Sequence, residues 1–195
     1  MLIYYVDPVK QLAFYLFLFI SFLSFTSINP EVGAVIDSYN GVPVYYNGKD
    51  FKKVQGRNMT PDGYNLGLKY QCVEFVKRYY YEVYGHKMPN SYGHAKDFYD
   101  DSLGDVGFNQ ARGMWQYTNV REEMPQVDDI LVYGPHTGNP FGHVALITKV
   151  EDNFIELVHQ NKGTKSRQKI KLVKFMDYIT IADYNIKCWL RLKSE

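Results

Sequence analysis

The chain has 195 residues, with 22 lysines and arginines set against 21 aspartates and glutamates. That length suits one domain with a substantial core. The balanced charge excludes a basic nucleic-acid footprint, and two cysteines are too few for a disulfide framework.

Residues 1–27 stand apart. Lys10 precedes an uncharged apolar run from Leu12 to Phe25, the length of a signal-peptide core and short for a membrane span, which needs about 20 residues. Export is expected, with the segment either cleaved near Ser24–Ser27 or kept as an N-terminal anchor whose residues 11–25 contact the membrane. Residues 28–195 then form the working domain. Residues 28–69 read as an extended lead-in, with turn signals at Asn40-Gly41 and Asn47-Gly48.

The stretch Gln71-Cys72-Val73-Glu74-Phe75-Val76-Lys77-Arg78-Tyr79-Tyr80 has helical spacing. Cys72, Val73, Val76, Tyr79, Tyr80 and Val83 form an apolar face, with Glu74, Lys77, Arg78 and Glu82 opposite. Gly85 is the expected stop. Cys72 falls in the first turn, where backbone N–H groups and the helix dipole favour a thiolate, the nucleophilic form of cysteine. Burial as a small core residue is the competing role.

Residues 89–99 read as a loop and then a second short helix, and residues 101–127 as irregular, with a strand or groove wall at Met114–Tyr117. From Asp129 onward the pattern is β: Ile130–Tyr133, His143–Val150, Phe154–Gln160, Lys169–Phe175 and Ile186–Leu192. Helices first and an antiparallel meander after them make an α+β layout. Cys188 alternates with Ile186 and Leu190 on one strand face and reads as core.

A thiol nucleophile needs a base, and the base needs a group that fixes its tautomer. Of five histidines, His143 is best placed, because it opens a strand directly after Phe141-Gly142. Two-residue alternation puts His159 and Asn161 on one face at the end of the partner strand. An amide oxygen such as that of Asn161 can accept from a histidine N–H. The histidines lack short metal-ligand spacing, so no metal is expected, and the chemistry calls for no cofactor.

Gln71-Cys72-Val73-Glu74-Phe75, Asp129-Ile130-Leu131-Val132-Tyr133-Gly134, Gly142-His143-Val144-Ala145 and His159-Gln160-Asn161 together resemble the CHAP family, from about Tyr39 to Leu192. Those are cysteine- and histidine-dependent amidohydrolases and peptidases with a papain-like α+β fold, helices packed on an antiparallel sheet. The resemblance implies Cys72 as nucleophile passing through a thioester, and His143 as general base. It implies Gln71 at the oxyanion hole and Asn161 beside the triad. The family usually carries an acid or amide where this chain has His159. A neutral His159 can still accept from His143, and Asn161 is the alternative orienting group. Asp128 replaces a common glycine.

Within the family the helix motif is most similar to glutathionylspermidine amidase domains, whose substrate is a small amide. Export favours a peptidoglycan peptide instead. A catalytically silent CHAP fold acting as a binding module is the third reading. A monomer is expected.

Overall fold

In the computed structural model, residues 29–119 and 122–193, together with Val9, are described. The apolar segment 11–25 lies outside the described residues, and no helix among them is long and apolar enough to cross a membrane.

Asn40 and Gly41 both take positive φ, and they join β1 (Val35–Tyr39) to β2 (Val42–Tyr45) as the Asn-Gly signal predicts. A second small ribbon pairs β3 (Arg57–Met59) with β4 (Asn65–Leu68). Helix α1 (Cys72–Tyr84) follows and ends at Gly85, whose left-handed backbone lets its N–H and that of His86 reach the carbonyls of Tyr81 and Tyr80. The second helix is a single 3-10 turn, Ala95–Phe98.

Eight strands then form one antiparallel sheet. They are β5 (Val106–Asn109), β6 (Met114–Thr118), β7 (Ile130–Tyr133), β8 (His143–Val150), β9 (Phe154–Val158), β10 (Arg167–Phe175), β11 (Tyr178–Ile181) and β12 (Ile186–Arg191). The order across the sheet is β11-β10-β9-β8-β7-β12-β6-β5. The architecture is α+β, as expected, with two corrections. The region 101–127 supplies two strands. The sheet is also not a simple meander, because β12 inserts between β7 and β6 and bonds to both.

Alternation along the strands divides the interior. Val144 and Leu146 of β8 join Phe75, Val76, Tyr79 and Tyr80 of α1 in one cluster, while Ala145 and Ile147 belong to a second cluster with Leu157, Ile170 and Trp189. Cys188 is fully buried in β12, and both cysteines are free.

The second face of α1 is not solvated, contrary to its charge pattern. Glu74, Lys77 and Arg78 are buried because the β1–β2 and β3–β4 ribbons cover them. Glu74 accepts from Arg78 at 2.6 Å, from Gln160 at 2.8 Å and from Asn58 at 2.8 Å. Lys77 donates to the carbonyls of Asn65 and Ser91, and burial pushes its ammonium pKa down to about 7. Gly67 sits where a Cβ would lie 3.2 Å from the backbone of Glu74, so its lack of a side chain permits the close approach of β4 to α1.

At the far end of α1, Asp128 takes a positive φ of 72°, a conformation that favours glycine. Its carboxylate accepts from the hydroxyls of Tyr39 at 2.7 Å, Tyr79 at 2.6 Å and Tyr84 at 2.5 Å. Asp129 makes a buried two-point pair with Arg191 at 2.9 and 2.7 Å, tying the start of β7 to β12. Together these contacts set the helix against the sheet.

Candidate active site

Cys72 and His143 line the same cavity, of about 360 Å3. The first turn of α1 delivers the thiol, and the first residue of β8 delivers the imidazole. The residue before His143 can only be glycine. Gly142 has φ 73°, and a Cβ there would stand 2.6 Å from the Tyr133 carbonyl and 3.0 Å from the Lys96 nitrogen. The Tyr133–His143 pair closes the β7–β8 ladder, so the ring is anchored at the very end of the sheet.

His143 Nε2 lies 3.3 Å from His159 Nδ1, and the two rings cross at 70°. His159 follows the end of β9, is buried, and is bound at its backbone to Ser166. With His143 Nε2 engaged by His159, the ring nitrogen of His143 left for other chemistry is Nδ1.

Burial, then the charge of Lys162, pushes the His159 pKa down to about 4. Burial, then His159 and Lys162, holds His143 well below the usual histidine value. Both rings are therefore neutral at pH 7. The Cys72 thiol departs from the expectation of a thiolate. Burial raises its pKa, and the N–H groups of Val144, Val73 and Cys72 itself only partly offset that. At 8% exposure the desolvation of a charged sulfur outweighs the helix terminus.

Gln71 also lines the cavity beside Cys72. Its amide nitrogen donates to the carbonyls of Phe51 and Lys53, both at 3.1 Å, and its oxygen accepts from Asn161. Asn161 is not bonded to His143. The strand ends at Val158, Asn161 turns left-handed at φ 66°, and its side chain donates to Phe51 O at 2.9 Å and accepts from Asn47 at 2.9 Å. The side-chain contact with the His143 ring is thus made by His159, and Asn161 ties the 51–53 loop to Gln71. Gln160, which the sequence left without a role, is fully buried and joins Gln71 O to Glu74 at 3.0 and 2.8 Å. The 51–53 loop was also missed, since a backbone acceptor leaves no trace in residue identity. The Asn47-Gly48 turn signal was the one local hint of the loop.

The other histidines lie elsewhere. His86 bonds the Arg112 carbonyl at 2.8 Å, His94 packs on Phe141 at the cavity rim, and the His136 ring accepts from Gly138 in the 134–142 loop. Among the described residues no three of His, Cys, Asp and Glu gather as a metal site requires.

Arg57, Lys52, Tyr92 and Phe141 are exposed residues of its lining, and no carboxylate among the described residues lines it. A second cavity, of about 430 Å3, shares Phe51, Asn139, Gly142, His143 and Asn161 with the first and does not include Cys72.

The chain is 29% identical over 120 residues to trypanothione synthetase of Crithidia fasciculata, covering 62% of this chain and 18% of that protein. It is 32% identical over 101 residues to glutathionylspermidine synthase of the same organism, covering 50% and 14%. The match thus spans less than a fifth of either relative. Solved structures of Ly7917 are also similar. One has 21% identity over 51% of this chain and 38% of that one, with TM-score 0.31. Another, with the hydrolyzing product of MDP, has 24% identity over 42% and 32%, with TM-score 0.28, and neither likeness carries an argument. The model of the CHAP domain matches residues 61–161, a shorter stretch than the sequence resemblance from 39 to 192 but more than half of the chain. On that match, with a cysteine-bearing helix set against a histidine-bearing strand, the chain belongs to the CHAP domain family of amidohydrolases and peptidases.

Proposed function

We propose that this protein is a thiol-dependent amidase or peptidase in which Cys72 is the nucleophile, His143 the general base and His159 the group that orients it. The supporting observation is that Cys72 and His143 share one cavity while Nε2 of His143 meets His159 at 3.3 Å. His143 Nδ1 takes the thiol proton as sulfur attacks the amide carbonyl. The resulting oxyanion lies at the N-terminus of α1, where the Cys72 backbone N–H is a donor. A contribution from the Gln71 side chain replaces one of its bonds to the loop carbonyls. The imidazolium returns its proton to the leaving amine, the C–N bond breaks, and a thioester remains. Water, deprotonated by His143, then attacks the thioester and frees the acid and the thiol.

Because thiol and imidazole are both neutral at rest, proton transfer accompanies attack instead of preceding it. A histidine in the orienting position stabilises the imidazolium less than a carboxylate would.

We assign the substrate to peptide amides of peptidoglycan. An exported enzyme, as the apolar segment 11–25 suggests, meets that polymer. The similarity to glutathionylspermidine synthase favours a second reading, hydrolysis of a small glycyl amide. A silent binding module is the third. Mass spectrometry of purified peptidoglycan incubated with the full chain, beside Cys72→Ala, separates them. New peptide fragments are expected with the unmodified protein alone. Equal fragments from Cys72→Ala would overturn the mechanism. No fragments from either, with glutathionylspermidine hydrolysed, would select the small-amide reading, and inertness toward both would select the binding module.

A further inference from the structure

His143 lines two cavities that also share Phe51, Asn139, Gly142 and Asn161, and only one of them includes Cys72. If the catalytic reading above holds, that asymmetry sorts the substrate. The acyl group becomes bonded to sulfur and occupies the cavity of Cys72. The amine that His143 Nδ1 protonates departs past the shared lining into the second cavity.

The second cavity is lined by Lys49, Lys162 and Asp183 as its charged groups, with Asn139, Asn185 and His136 among its polar ones. Asp183 accepts the Asn185 N–H at 3.0 Å through Oδ1, and its charge acts on Lys162. Lys162 also donates to the neutral Gln168 amide at 3.0 Å. Lys49 is exposed. A group entering this cavity meets two ammonium groups set against one carboxylate, a net positive charge.

We propose that the second cavity is a leaving-group subsite for an amine that carries a carboxylate, an amino acid or acidic peptide, and that it disfavours a polyamine. A polyamine brings further positive charges to the same lysines, and like charges in a partly enclosed cleft repel. The pair therefore selects a peptide bond over a polyamine amide and deepens the substrate assignment above.

Three matched compounds test this: acetyl-γ-glutamyl-alanyl-glycine joined to alanine, to alanine amide, or to spermidine. With the full chain at low salt, kcat/KM for the alanine compound is expected to exceed that for the alanine amide by about tenfold, the effect of one charged hydrogen-bonded contact. The spermidine compound is expected to be poorest. Substitution of both lysines, Lys49→Met with Lys162→Met, brings the alanine to alanine-amide ratio to about one. The same three compounds are titrated against Cys72→Ala, which binds without turnover. A carboxylate preference in binding with no hydrolysis by the unmodified chain would remove the catalytic reading and leave the subsite standing. A ratio near one in the unmodified chain would overturn the subsite, as would preference for spermidine, a ratio unchanged in the double variant, or no binding of any compound.

Discussion

His143 meets His159 ring to ring, and burial first, then that neighbour, holds its affinity for protons low. A general base works only while neutral. With its pKa held well below 6.5, His143 is neutral through the whole range above that value, so the acid limb of kcat/KM falls below pH 6.5. His159→Glu replaces a neutral partner with a carboxylate, which favours the imidazolium and raises the His143 pKa. The acid limb is then expected to move to higher pH by at least one unit, about 1.4 kcal/mol of differential interaction. A pH profile of kcat/KM for both proteins, with the alanine compound as substrate, checks it. A limb that stays in place would mean that residue 159 does not orient the base. At the same scale, Cys72 shows why the residue types of a dyad do not set its charge state. The helix terminus that favours a thiolate is present, yet a sulfur this deeply buried remains a thiol.

Elements carry these side chains to one point through a few tight contacts. The turn into β8 packs Gly142 against the Tyr133 carbonyl and the Lys96 nitrogen, in a backbone conformation that L side chains rarely adopt. Gly142→Ala is expected to cost about 1 to 3 kcal/mol of stability. It is also expected to displace the His143 ring, so that hydrolysis falls more steeply than folding. Denaturant unfolding and steady-state kinetics on the same preparation separate the two effects. Intact kcat at reduced stability would show that β8 tolerates the shift. Helix α1 was legible from its period and its Gly85 stop. Its polar face was misread because a helix pattern reports which residues are apolar and not which others a neighbouring ribbon will cover. Glu74, Lys77 and Arg78 are buried with partners drawn from residues 43, 58, 65, 91 and 160.

The molecule as a whole extends beyond the stretch that defines its family. Strand β12 lies between β7 and β6, β10 and β11 complete one side of the sheet, and β2 packs on α1. A fragment limited to residues 61–161 would leave β7 paired with β8 alone, without β12 on its other side, and Asp129 without Arg191. That fragment is expected to show no cooperative unfolding transition, where the full chain shows one by circular dichroism in denaturant. A sharp transition in the fragment would place the folding core inside the matched residues.

By itself the sequence determined the features whose causes are local: the helix at Cys72 and its stop, the strands from Ile130 onward except β11, the Asn-Gly hairpin, and the α+β class that their order implies. Its motifs also carried the family, since Gln71-Cys72 and Gly142-His143 each need their own backbone setting. Tertiary structure alone decided what depends on distant neighbours. It paired His143 with His159 and sent Asn161 to the 51–53 loop, because β9 ends one residue before His159 and the alternation of faces ends with it. It placed β12 inside the sheet, since strand order depends on the partners of long-range pairing and not on any one strand's composition. It also set the charge state of the thiol and the imidazole, because desolvation is a property of everything packed around a group.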